Sequence, residues 1–128
     1  MSATNLVITA KGRENLVKAR AGDITLPAIT GMAFGSGGVY AGGTPIAPSS
    51  SATALNNEIG RRTISSHTYP NATTCRYVCT LSASDFPGAQ INELGLYDSN
   101  GDLVCIKTFT TKGKDADIEL TFTVDDEF

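Results

Sequence analysis

Tryptophan is absent from this 128-residue chain, histidine occurs once, and charged residues make up only 18% of it. With 7% aromatics, there is little material for the exposed ring platforms on which proteins hold sugars. Ten Lys and Arg against thirteen Asp and Glu leave a net charge of -3, and the basic residues are scattered, so no field draws in nucleic acid. No stretch approaches the roughly 18 apolar residues that a membrane span needs. The start, Met1 to Ala10, lacks the basic region and apolar run of a signal peptide, which predicts synthesis and folding in a cytosol. Three cysteines, Cys75, Cys79 and Cys105, cannot all pair within one chain, and all sit in β-like apolar runs. They read as free, buried thiols. Cys75-x-x-x-Cys79 with His67 as the sole histidine falls short of the ligand set of a structural zinc. No cofactor is expected.

What is present reads as one domain over residues 1–128, with 13 Gly and 5 Pro marking many turns. Lys11 to Ala21 predicts a helix with Leu16, Val17 and Ala21 as its apolar face and Gly22 as its C-cap. Ile24 to Phe34 reads as a strand in which Pro27 marks an edge or a bulge. The stretch 35–51 is so rich in Gly, Pro and Ser that it reads as a long exposed loop. Ser51 to Ile59 is expected to form a short second helix, with Thr53 as N-cap and Leu55 and Ile59 on one face. Arg61 to Tyr69 and Thr73 to Leu81 read as strands joined at Pro70-Asn71. Gln90 to Tyr97 and Leu103 to Phe109 flank Asn100-Gly101, a strong hairpin turn because Asn and Gly accept positive φ. Asp117 to Val124 alternates as a last, half-buried strand. The expected architecture is therefore α+β, mostly antiparallel β: a short amino-terminal helix, a short second helix and a multi-stranded antiparallel sheet or sandwich. Its core is expected at Leu16, Ile29, Leu55, Ile59, Tyr77, Cys79, Leu94, Leu96, Ile106, Leu120 and Phe122.

Reactive constellations are weak. Asp98-x-Asn100-x-Asp102 begins like a calcium loop, but Phe109 stands where the twelfth-position Glu should be, so a plain turn is the better reading. Asp85, Glu93 and Asp98 could be searched for the paired acids of glycoside hydrolysis. Glu93, beside apolar Leu94 and Leu96, is expected instead to cap backbone N–H groups or to pair with Arg61 or Arg62. His67 lacks a nucleophile partner, and Gly35-Ser-Gly-Gly38 lacks the Lys-Ser/Thr ending of a phosphate loop. No catalytic site is expected, and the chain reads as a non-enzyme.

Three segments carry a resemblance. Ala21 to Gly38 (AGDITLPAITGMAFGSGG) is a strand running into a glycine-rich loop, Ala54 to Arg62 (ALNNEIGRR) follows, and Ile91 to Val104 (INELGLYDSNGDLV) is the most specific. Together they resemble the amino-terminal module of phage tail-collar and tail-fibre proteins from contractile tails, over residues 5–125. The resemblance implies a structural virion protein that links fibre to baseplate, binds other tail, baseplate and fibre proteins, and forms a homo-oligomer, a trimer in the particle. Neither nucleic acid nor membrane is an expected partner. In that family a fibre follows the module in the same chain; after Asp125-Asp-Glu-Phe128 neither heptads nor β-repeats follow, which points to an adaptor rather than a receptor-binding fibre. Val39, Tyr40 and Ile46, the sizeable apolar groups of the 35–51 loop, are the expected partner contacts, with loop order expected only on docking. The alternative is a carbohydrate-binding module on host surface glycans, for which Tyr40 and Tyr69 are the plausible platforms.

Overall fold

A computed structural model describes residues 5–128. Its elements run β1 (Leu6–Ile8), α1 (Ala10–Arg20), β2 (Ile29–Gly35), β3 (Glu58–Thr63), β4 (Ser66–Asn71), β5 (Thr74–Leu81), β6 (Ala89–Asp98), β7 (Leu103–Lys114) and β8 (Leu120–Glu127). The strands form two antiparallel sheets, one of five in the order β1-β7-β6-β2-β3 and one of three in the order β4-β5-β8. Period-two alternation aims Met32, Phe34, Leu94, Leu96 and Cys105 of the larger sheet at Cys79, Leu81, Phe122 and Val124 of the smaller, making one core between them. Phe122 is its centre, with ring centroids 5.1 Å from Phe34 and 5.7 Å from Phe109.

The larger sheet is also covered on its far face. Ala33, Leu55, Leu103 and Ile106 cluster there with Val7, Ala52 and Tyr97, so the segment between β2 and β3 lies over a second apolar patch. Leu94 and Leu96 of β6 belong to the core between the sheets, so alternation places Glu93 on this far face.

The turn between β6 and β7 behaves as its Asn-Gly pair predicts. Gly101 has φ +84°, and one carboxylate oxygen of Asp98 accepts the N–H groups of Asn100 (2.9 Å) and Asp102 (3.1 Å). Helix α1 is capped at both ends. Thr9 Oγ1 accepts the N–H of Gly12 at 3.1 Å and donates to the carbonyl of Leu103 at 2.8 Å, while Gly22 at φ +84° lets its own N–H reach Ala19 O and that of Asp23 reach Lys18 O.

Several expectations are corrected. The inward face of α1 is Gly12 and Asn15, not Leu16, Val17 and Ala21; Val17 is 69% exposed. A Cβ on Gly12 would lie 2.7 Å from Val104 O, so the helix seats by backbone approach rather than by an apolar stripe. Residues 51–57 form turns and no second helix, and Ile59 belongs to β3. Leu55 is nevertheless buried, because one side chain in a turn fills the patch under it. The strand expected from Ile24 begins only at Ile29, since Pro27 offers no N–H to a ladder. The strand expected over 61–69 is two strands. Ile64 N–H still bonds to Thr30 of β2, while the next N–H, of Ser65, bonds to Val78 of β5; the chain changes sheets between these two residues. The β4–β5 turn falls at Ala72-Thr73, two residues later than expected, and Asn71 Oδ1 accepts the Thr73 N–H at 3.0 Å. The last strand starts at Leu120 and extends to Glu127.

Of the expected core, Leu55, Cys79, Leu94, Leu96, Ile106 and Phe122 are buried, whereas Ile29, Ile59, Tyr77 and Leu120 pack only partly against it and Leu16 is half-exposed. Their places at the centre are taken by Met32, Phe34, Leu81, Ile91, Cys105 and Val124. Burial raises the thiol pKa of Cys79 to about 11 and that of Cys105 to about 12, as expected of inert core thiols. Cys75 is only half-buried.

Leu96 is fully buried between the sheets. Leu96→Ala is expected to cost about 2–5 kcal/mol in chemical denaturation, and Val17→Ala, on the exposed flank of α1, less than about 0.5 kcal/mol. A reversed ranking would show that the strand register is shifted.

Candidate functional site

The segment between β2 and β3 is organised by two adjacent side chains of β6. Glu93, 1% exposed, accepts three backbone N–H groups: Gly37 at 2.8 Å and Asn57 at 2.8 Å on Oε2, and Asn56 at 2.9 Å on Oε1. Asn92 Oδ1 accepts the N–H of Gly38 at 2.7 Å, and its amide reaches Thr111 Oγ1 at 3.2 Å. A buried carboxylate is tolerable when its lone pairs meet several donors, because these replace the water it has lost. The loop's two ends are thereby tied to each other through β6. Asn57 Nδ2 donates to Ser36 Oγ at 2.7 Å and Asn56 Nδ2 to Gly37 O at 3.0 Å, completing the knot.

Glycine is required where the carboxylate comes in. A Cβ at Gly35 would stand 2.5 Å from Glu93 Oε2 and 2.7 Å from Asn57 O, closer than real side chains come. The Gly35-Ser-Gly-Gly38 run therefore answers neither to a phosphate nor to flexibility alone. The N–H groups of Gly37 and Gly38 are already taken by Glu93 and Asn92, and that of Ser36 by Asn57 O.

Beyond the knot the loop folds back on itself. Val39 bridges to Pro45, Tyr40 N–H donates to Thr44 O at 2.9 Å, and Ile46 N–H donates to Gly38 O at 2.8 Å. Thr108 Oγ1 donates to Ile46 O at 2.6 Å. The expectation that this loop gains order only from a partner is thus corrected. Its order comes from backbone hydrogen bonds to side chains of its own sheet, which apolar content does not register. Of the three expected contact residues, Val39 and Ile46 are half-buried and Tyr40, 59% exposed, stands out at the tip.

The other residues singled out in the sequence do not converge. Arg61 holds Glu58 at 3.0 Å and lies over Tyr97; Arg62 holds Asp85 at 2.9 Å and lies over Phe86. Neither reaches Glu93, so of the two roles expected for that residue the backbone-capping one is realised. Asp98 organises its turn and accepts from Asn15 Nδ2 at 3.4 Å. His67 is exposed on β4, with ring centroids 5.7 Å from Tyr69 and 6.0 Å from Tyr77. Among the described residues no group of three or more His, Cys, Asp or Glu is placed to hold a metal, and no helix is long and apolar enough to cross a membrane.

A second feature has no sequence signal. At the end of the sandwich where β7 starts and β8 finishes, α1 and residues 26–29 roof a cavity of about 210 Å³, and a more open recess of about 400 Å³ adjoins it. Tyr77, Asp126 and Phe128 line both. Burial raises the pKa of the Asp126 carboxyl above the ordinary carboxylate range.

The described residues form a two-sheet sandwich whose far face carries a loop knotted onto a buried glutamate. A family model described as the phage tail-collar fibre protein, N-terminal, matches residues 1–121, and the chain belongs to that family: it is a structural component of a phage tail, and hence of the virion. No curated protein and no solved structure matches it.

Two measurements probe this geometry. Glu93→Ala should strip hydrogen-exchange protection from the amides of Gly37, Asn56 and Asn57 while β5 and β8 keep theirs. Glu93→Gln should spare the Gly37 and Asn57 amides but expose Asn56, because the amide nitrogen then faces its N–H. Equal loss in both variants would mean that charge, not hydrogen bonding, holds the loop. For Asp126 the folded pKa lies above the unfolded one, so folding is favoured with the carboxyl protonated and stability is lost as pH rises through the folded pKa. Asp126→Asn should accordingly raise the melting temperature at neutral pH, with the gain vanishing below the unfolded carboxylate pKa of about 4. A gain independent of pH would exclude the titration.

Proposed function

We propose that this domain is the attachment module linking a tail fibre to the baseplate of a contractile phage tail, working as a homo-oligomer, with a trimer favoured. The observation that carries this reading is the family match over almost the whole chain together with a rigidly mounted loop that presents Tyr40. A preorganised contact loses little conformational entropy on docking, so a small exposed tip on a fixed base can serve as an anchor. Val39 and Ile46 support the tip from beneath and are covered further when a neighbouring tail protein seats on it. The exposed edge strand β4 offers a second surface, open to strand addition by another tail protein.

Locating the chain in an image reconstruction of the intact particle tests the reading. Density for the domain at the baseplate rim, with a fibre leading from it, is the expected result, and a position along the tail tube or in the head would overturn it. Tyr40→Asp should leave the melting temperature of the domain unchanged and lower its incorporation into tails; normal incorporation would exclude the loop tip as the contact.

A further inference from the structure

We infer that the recess at the end of the sandwich, floored by Asp126, takes the guanidinium of an arginine side chain presented by a partner protein. Asp126 lies on β8 at the period-two positions of Phe122 and Val124, both buried in the core, and is paired in register with Cys75. It therefore continues the inward face beyond the point where the core ends. The contrast with its neighbour is direct. Asp125, facing out, is held by Arg76 at 2.8 and 3.1 Å, whereas the Asp126 carboxyl has no hydrogen bond or ion pair among the described residues, and burial alone accounts for its raised pKa.

A carboxylate drawn partly out of water with no side-chain or backbone donor from the described residues costs stability, and one positive charge with N–H donors would offset that cost. The recess around it is aromatic: Tyr69 is 72% exposed, Phe128 is 64% exposed, and Tyr77 lines the recess with both. Thr74, a buried residue whose hydroxyl has no hydrogen-bond partner among the described residues, also borders it. Carboxylate plus aromatic faces is the chemistry that holds a planar, weakly hydrated cation. A guanidinium meets both oxygens of a carboxylate at once and stacks on rings, while a lysine ammonium is more strongly hydrated and points at only one oxygen at a time. A neutral sugar could use the rings but would leave the charge of Asp126 uncompensated. The apolar walls of the adjoining cavity, Leu16, Leu26 and Ile29, suit the methylene stem of the same side chain.

The inference goes beyond the tail assignment and is tested apart from it, by amide NMR titration of the whole chain with N-acetyl-arginine methylamide. The citrulline analogue, of nearly the same shape but uncharged, and N-acetylglucosamine serve as parallel probes. Expected are saturable shifts at Cys75, Tyr77, Asp126 and Phe128 with the arginine probe, and binding at least about tenfold weaker with citrulline. Asp126→Asn, which is expected to fold at least as well as the parent, should abolish the response. Tyr69→Ala, at a largely exposed position, should weaken it about threefold. Equal binding of citrulline, a response that survives Asp126→Asn, shifts confined to other parts of the domain, shifts in the recess with the sugar alone, or no shifts at all would each overturn the proposal.

Discussion

One buried carboxylate ties this domain together. Glu93 stands on the far face of the five-stranded sheet and accepts N–H groups from both ends of the long β2–β3 connection, turning some twenty residues of Gly-, Pro- and Ser-rich chain into a mounted structure. Without those bonds the backbone amides of Gly37, Asn56 and Asn57 would be left unpaired beside an apolar patch, a cost comparable to losing the hydrogen bonds outright. The patch itself, Ala33, Leu55, Leu103 and Ile106, depends on the same knot to bring Leu55 over it.

This node explains why three separate stretches of sequence carry the family resemblance. The glycine run supplies the close approach at Gly35 and the N–H groups of Gly37 and Gly38; Leu55-Asn-Asn57 supplies two further donors and an apolar plug; Asn92-Glu93 supplies the acceptors. None of the three works without the other two. Their residue types follow from a single geometry: a charged acceptor needs several donors within reach, and donors on a close-packed backbone need the absence of a Cβ.

Two places on the surface differ in their chemistry. The loop tip is neutral, with one exposed tyrosine on a rigid mount. The open end of the sandwich pairs aromatic rings with Asp126, which has no partner among the described residues. On the proposed readings the two surfaces would take different neighbours, and their distinct chemistry would keep one partner from binding at the other's place.

The amino-acid sequence by itself determined the elements whose causes are local. The period-two runs of β5 through β8, the Asn100-Gly101 turn and the start and stop of α1 were legible because side-chain alternation, positive-φ turns and capping act over a few residues, and the family was legible as a resemblance carried by three segments. Glu93 was legible as either a backbone cap or a partner of Arg61 or Arg62, though not which of these or which amides it caps. Only the tertiary structure decided the rest. The chain's change of sheet at Ile64-Ser65, the seating of α1 by Gly12 on Val104, the mounting of the 35–51 loop and the inward-facing Asp126 all depend on partners a dozen or more residues away. Local pattern does not encode such distant pairings, because the energy that favours them appears only when both partners are brought together by the packed sheets.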